Sequence, residues 1–269
     1  MTLPNSITNI APSVNTPWLR AVEVITSRLT DADEAEVLTF LAQRPIHTVA
    51  MVGLIYDNGL VSTLNRGTFY GCRNYGGQLE GVALIGHATL METTTDRALE
   101  ALAEVAQTCT NAHMIMGDRN QINSFWDHYA EAGQRMRQAC SECLFELNSP
   151  IKVLQSAPDL RVATFAELEM IVPLQAELAF AESGVIPLER DPEGFRQRGA
   201  RRIEQGRTWI WVEAGEIVFK ADVVSDTPSV IYLEGVWTNP NRRSRATVCA
   251  VCLNLDVPSY LAPNRSASW

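Results

Sequence analysis

Residues 232–251, YLEGVWTNPNRRSRATVCAV, hold the densest concentration of chemistry in the chain. A strand-like run carrying Glu234 meets a Pro240-Asn241 turn, and Arg242, Arg243 and Arg245 then crowd in before an apolar stretch. If that stretch opens a helix, its first backbone N–H groups are unpaired and carry about half a positive charge, which suits a phosphate. Flanking guanidinium groups would add charge-assisted bonds, and the small side chains of Ser244 and Ala246 would let an anion come near the backbone. An ordinary solvated basic loop has the same composition, so these residues alone leave both readings open.

Other chemistries find less support. Cys140/Cys143 and Cys249/Cys252 are each spaced C-x-x-C, with Cys72 and Cys109 isolated. The two pairs stand much too far apart for a compact zinc module, and the second lies in the apolar run ATVCAVCLNL, where cysteine behaves as a small hydrophobe. His47, His87, His113 and His128 show no H-E-x-x-H spacing, so no metal is expected. A net charge of −9 and a pI near 5.0 argue against a general nucleic-acid binder. Lysine occurs only at Lys152 and Lys220; the remaining positive charge is arginine, which suits bidentate contacts to phosphate or carboxylate. The first twenty residues lack the basic-then-apolar order of a signal peptide, and no apolar run suggests a membrane span, so a cytoplasmic protein without membrane contact is expected.

The elements that must position these residues can be read from periodicity. Residues 1–29 read as an arm, and Asp31 with Glu34 as the cap of a first helix. The apolar stretch 46–56 ends at the Asp57-Asn58-Gly59 turn. TFYGCR (68–73), a glycine turn and LEGVALIGHATL (79–90) read as a hairpin, followed by a helix over 96–108. AHMIMG (112–117) reads as a short buried strand, SFWDHYAEAG (124–133) as a helix stopped by glycine, and ECLFELN (142–148) as another strand. After Ser149-Pro150 the pattern restarts: strand 160–164, a helix from Phe165 to Glu182, a second from Pro192 to Gln205, then strands 208–214, 217–225 and 230–238 with a Gly215-Glu216 turn. TFYGCRNYGGQLEGVALIG and TWIWVEAGEIVFKADVVS share strand, tight turn and strand, which suggests two copies of one α/β unit, 30–150 and 151–269. Arg196, Arg198, Arg201 and Arg202 read as a solvated helix face, whereas Arg66, Arg73 and Glu80 read as either an acceptor pocket or an interdomain seam.

The order strand, helix, helix, three strands and arginine loop resembles the GNAT superfamily of acyl-CoA N-acyltransferases, most closely over 207–249, where LEGVWTNPNRRSRAT matches its core motif. The resemblance implies an α/β (α+β) fold of two tandem GNAT-like domains, each a mixed, mainly antiparallel sheet flanked by helices. It implies acetyl-CoA as acyl donor. The backbone of Val236, Trp237 and Thr238 would pair with the pantetheine arm, and Arg243, Ser244, Arg245, Ala246 and Thr247 would cradle the pyrophosphate. Ser244 and Ala246 stand where the family has glycines. Glu234 falls where many relatives place the base that takes the amine's proton, although it could equally pair with Arg207 or Arg243. The expected partner is a small-molecule or peptide amine acceptor, with a homodimer left open. Measured against the family, the domain over 151–269 is expected to be C-terminally incomplete, with the usual acid tyrosine unfilled. A non-catalytic CoA-binding or regulatory protein with a degenerate domain is the alternative.

Overall fold

The computed structural model describes residues 24–147 and 159–242, which form two sheets with helices packed against them. In the first half, strand β1 (Val24–Arg28) leads to helices α1 (Glu34–Leu41) and α2 (Pro45–Asn58). Strands β2 (Gly67–Asn74), β3 (Leu79–Gly86) and β4 (Ala88–Thr93) follow, then helix α3 (Asp96–Gln107), strand β5 (Met114–Met116) and helix α4 (Arg119–Tyr129). The sheet order is β1-β2-β3-β4-β5, antiparallel except for the parallel β4–β5 pair. β1 lies within the stretch read as an arm.

Both faces of this sheet are covered. Ala83 and Ile85 of β3 pack with Leu99, Leu102 and Phe125 under α3 and α4. Val82 and Leu84, pointing the other way, pack with Val37, Leu41, Met51 and Ile55 of α1 and α2. A strand buried on both faces reads as an unbroken apolar run. That is why residues 79–90 read as one strand, whereas the chain reverses at Gly86-His87 and sets Leu84 opposite Leu90. A Cβ on Gly86 would lie 2.3 Å from the Arg66 carbonyl oxygen, so only glycine fits this turn.

The second half runs β6 (Leu160–Val162), α5 (Leu168–Ser183), α6 (Pro187–Arg190), α7 (Pro192–Glu204), β7 (Thr208–Glu213), β8 (Glu216–Asp226) and β9 (Ile231–Thr238). These four strands are antiparallel in the order β6-β7-β8-β9. Ile210, Ile217 and Trp237 pack beneath α5 and α7 with Ile171, Val172 and Ile203. The β7–β8 turn sits at Ala214-Gly215, both with positive φ, one residue before the expected Gly215-Glu216.

Each half enters its first helix through a Thr-x-x-acid box. The Asp33 carboxylate accepts from the Thr30 N–H and hydroxyl at 2.8 Å, and the Glu167 carboxylate accepts from Thr164 in the same way at 2.7 Å. Thr30, not Asp31, is therefore the cap. Two further expectations need correction. Residues 142–147 form no strand and Phe145 is 90% exposed, because no neighbouring strand is there to satisfy the backbone among the described residues. β5 is an edge strand, with Met114 and Met116 exposed rather than buried.

The halves meet along α2. Gly53 is closely approached by Ser225 of β8, so that a Cβ there would lie 2.3 Å from its Oγ. At the end of α2, Asp57 takes both amino groups of Arg207, one at 2.6 Å, and Asn58 accepts from Arg201 at 2.9 Å.

Candidate functional site in the second sheet

Glu234 lies in β9, the last strand of its sheet among the described residues. The β8–β9 ladder pairs Phe219 with Thr238 and Lys220 with Trp237, then Asp222 with Glu234. Gly235 and Val236 together therefore oppose Ala221, which is a β-bulge. Gly235 has φ of 57°, in the left-handed region, and a Cβ on it would stand 3.0 Å from Asp222 Oδ2 and 3.1 Å from Lys220 Nζ. Conformation and space both call for glycine here.

The bulge overturns the strict alternation expected along 232–236. Directly opposed residues share a face of the sheet. Asp222 reaches Gln175 of α5 and Arg202 of α7, so Glu234, opposite Asp222, also faces the helices. Trp237, opposite Lys220, packs into the same helix-side core although it is three residues further on. Val236 is left 47% exposed.

Beneath the bulge is a buried charge cluster. Lys220 is fully buried and Asp222 nearly so. The Lys220 ammonium group donates to Asp222 Oδ2 at 2.5 Å and to the Gly235 carbonyl at 3.3 Å. Asp222 also accepts from Arg202 at 2.9 Å, Thr208 at 2.9 Å and Gln175 at 3.4 Å. Burial pulls the Lys220 ammonium below its ordinary range, opposed by the adjacent Asp222. Burial, followed by the Glu234 charge, pushes the pKa of Tyr232 up. Burial and then the charges of Glu142 and Glu234 raise Glu182, on the last turn of α5.

Among the described residues no arginine or lysine pairs with Glu234, and Arg207, one of its expected partners, is committed to Asp57. The other, Arg243, lies outside the described residues together with Ser244, Arg245, Ala246, Thr247, Cys249 and Cys252. Cys140 and Cys143 are exposed free thiols, and no group of three or more His, Cys, Asp or Glu among the described residues is placed to hold a metal. No helix among them is long and apolar enough to cross a membrane.

The other charged candidates are engaged within the fold. Arg73 pairs with Asp33 at 3.0 Å and Glu36 at 2.6 Å, and Glu80 accepts from Arg97 at 2.8 Å and Thr95 at 2.9 Å. Arg66 lies in the fields of Asp191 and Arg198 from the second half, at the seam. Arg201 and Arg202 of α7 turn inward to Asn58 and Asp222, while Arg196 and Arg198 pair locally with Glu169 and Asp191. Only half of these arginines keep to the solvated face expected of α7, because Asn58 and Asp222 offer Arg201 and Arg202 acceptors toward the interior. Lys220 and Asp222 escaped the sequence reading altogether. Their signal was a charged pair two residues apart, hence on one face, inside the apolar run IVFKADVV.

No family model matches the chain and no curated protein matches it. Solved structures do. An acetyltransferase of the GNAT family from Colwellia psychrerythraea matches at 11% identity and a TM-score of 0.40, covering 85% of this chain and 82% of that one. A GCN5-related glucosamine N-acetyltransferase region in a fungal multi-domain GH3 β-N-acetylglucosaminidase matches at 10% identity and a TM-score of 0.45, covering 94% of this chain and 35% of that one. Function has to be argued from the chain's own residues.

Proposed function

We propose that the chain is an acyl-CoA-dependent N-acyltransferase of tandem GNAT-like construction, with acetyl-CoA as donor and an amine as acceptor, and that its site lies in the second half. The observation that carries this reading is the bulge at Gly235 in the last strand of the meander, which sets Glu234 toward the helices and leaves Val236 exposed on the outermost strand among the described residues. An extended pantetheine arm would add to that edge as a further strand over Val236, Trp237 and Thr238. Arg243, Ser244, Arg245, Ala246 and Thr247 would hold the pyrophosphate.

The chemistry follows from the groups available. A neutral amine attacks the thioester carbonyl, the carbon–sulfur bond breaks, and the thiolate leaves and takes up a proton from solvent. Glu234 takes the amine's proton; its carboxylate is not tied up by a cation among the described residues. The Val236 N–H polarises the thioester oxygen. Isothermal titration of acetyl-CoA into the full chain, followed by acetyl-transfer assays over an amine panel, tests the reading. Saturable binding weakened about tenfold in Arg243→Ala is expected from the loss of one charge-assisted contact. No binding, or binding unchanged in that variant, would sink the cradle. Ser244 and Ala246 in the glycine positions favour the second reading, a CoA-binding protein without turnover, which would bind acetyl-CoA and transfer nothing.

A further inference from the structure

Lys220 is one of two lysines in the chain, and it is wholly buried in the middle of β8. Taking an ammonium ion out of water costs several kcal/mol unless its donors are answered. Asp222 answers one, but Asp222 already holds Arg202 and Thr208 and needs no lysine for its own neutralisation. The other acceptor is the carbonyl of Gly235, the left-handed residue of the bulge. A trans peptide points its C=O and the following N–H in opposite directions. With the Gly235 carbonyl drawn to Lys220, the Val236 N–H points away from the buried cluster.

We propose that Lys220 is a positioning residue for acyl transfer, its ammonium group fixing and polarising the Gly235–Val236 peptide so that the Val236 N–H meets the thioester oxygen. The assignment rests on the acyltransferase reading above. Hydrogen bonding to one end of a peptide group strengthens the donor at its other end, and a donor held in place costs no reorganisation when charge develops on the oxygen. Glu234 and the Val236 N–H then serve the reacting centre from different sides of β9, one for the proton and one for the oxygen.

The test compares the full-length protein with Lys220→Met, which keeps the apolar stem, stops one atom short of the ammonium and leaves Asp222 bonded to Arg202 and Thr208. The 15N resonance of the Val236 amide, read by NMR without ligand, is expected to move upfield as the Gly235 carbonyl loses its polarising partner. The kcat for acetyl transfer should fall about 10–100-fold with KM for acetyl-CoA changed less than about threefold. A purely structural lysine would lower Tm and leave kcat per folded molecule unchanged, and that result, or a wild-type Val236 resonance, overturns the proposal. If the wild-type chain transfers no acyl group, the acyltransferase reading fails, while the Val236 resonance still decides whether Lys220 holds the peptide. Should the Met variant not fold, Lys220→Gln, a neutral donor, is expected to give an intermediate shift, and a wild-type resonance there also overturns the proposal.

Discussion

The two halves lay down strand, helices and a three-strand meander in the same order, yet they differ in where charge is buried. In the first half, carboxylates at the ends of the sheet are neutralised by arginines from nearby helices. Glu92 of β4 takes Arg44 at 3.1 Å, and Glu80 takes Arg97 at 2.8 Å. The helix after β4 is capped by its own Thr95, which accepts from the Ala98 N–H, and carries Asp96 in its first turn. A phosphate arriving there would meet two carboxylates, Asp96 and Glu80. In the second half a lysine and an aspartate sit in mid-sheet below a bulge, and Glu234 has no cationic partner among the described residues.

That contrast can be broken most sharply at the two strand glutamates. Glu234→Gln should lower kcat about 100-fold or more with acetyl-CoA binding retained, as expected for loss of a general base. Glu92→Gln should leave kcat per folded molecule unchanged and cost about 1–3 kcal/mol in chemical denaturation, since it removes one partner of a mostly buried pair. Equal effects on turnover would erase the distinction.

A second comparison uses glycines of the same backbone hand. Gly235→Ala puts a Cβ against Lys220 and Asp222 at positive φ, and should weaken acetyl-CoA binding about tenfold as well as lower stability by about 1–2 kcal/mol. Gly77, with φ of 79° in the β2–β3 turn and nothing within 4 Å of its absent Cβ, should show the stability loss alone when changed to Ala. Titration calorimetry and thermal melts separate the two.

Acid tests the carboxylates that arginines hold down in each half. Arg97, with Thr95 and Asn74, holds Glu80 down to about 2 against an ordinary 4.5. A depressed carboxylate stabilises the fold above its unfolded pKa and loses that contribution as pH falls through the folded one. Tm should therefore drop between pH 4.5 and about 2, and Arg97→Ala should remove part of that slope without touching ligand binding. Arg161→Ala should remove the corresponding part from Glu167, which Arg161 and Thr164 also hold at about 2. The smallest effect is expected at the seam, where Asp57→Asn weakens the bidentate pair with Arg207 and should cost about 1 kcal/mol, read as less coincident unfolding of the two halves.

Much of this architecture could be read from residues alone, and the failures have physical causes. Turn residues, Gly215 among them, separated β7, β8 and β9, whereas β3 and β4 merged because strands apolar on both faces carry no alternation and the Gly86-His87 reversal is short. The two halves share Thr-x-x-acid boxes at Thr30 and Thr164, but a helix start read one residue late at Asp31 hid that match. That Glu234 lies in a strand was legible from the sequence. Its orientation relative to Trp237 was not, because a bulge is a property of pairing with β8 and leaves only a glycine in the sequence. Lys220 and Asp222 were passed over for the same reason: their importance depends on what β9 and α7 bring to them.

The central claim is that acyl-CoA binds at the β9 bulge and not in the first half. Titrating acetyl-CoA into uniformly 15N-labelled full-length protein tests it directly. Saturable shifts of the Gly235, Val236 and Trp237 amides, with Val82 to Leu90 unmoved, are the predicted result. Shifts centred on β3 and β4, or no saturable shift in either sheet, would contradict it.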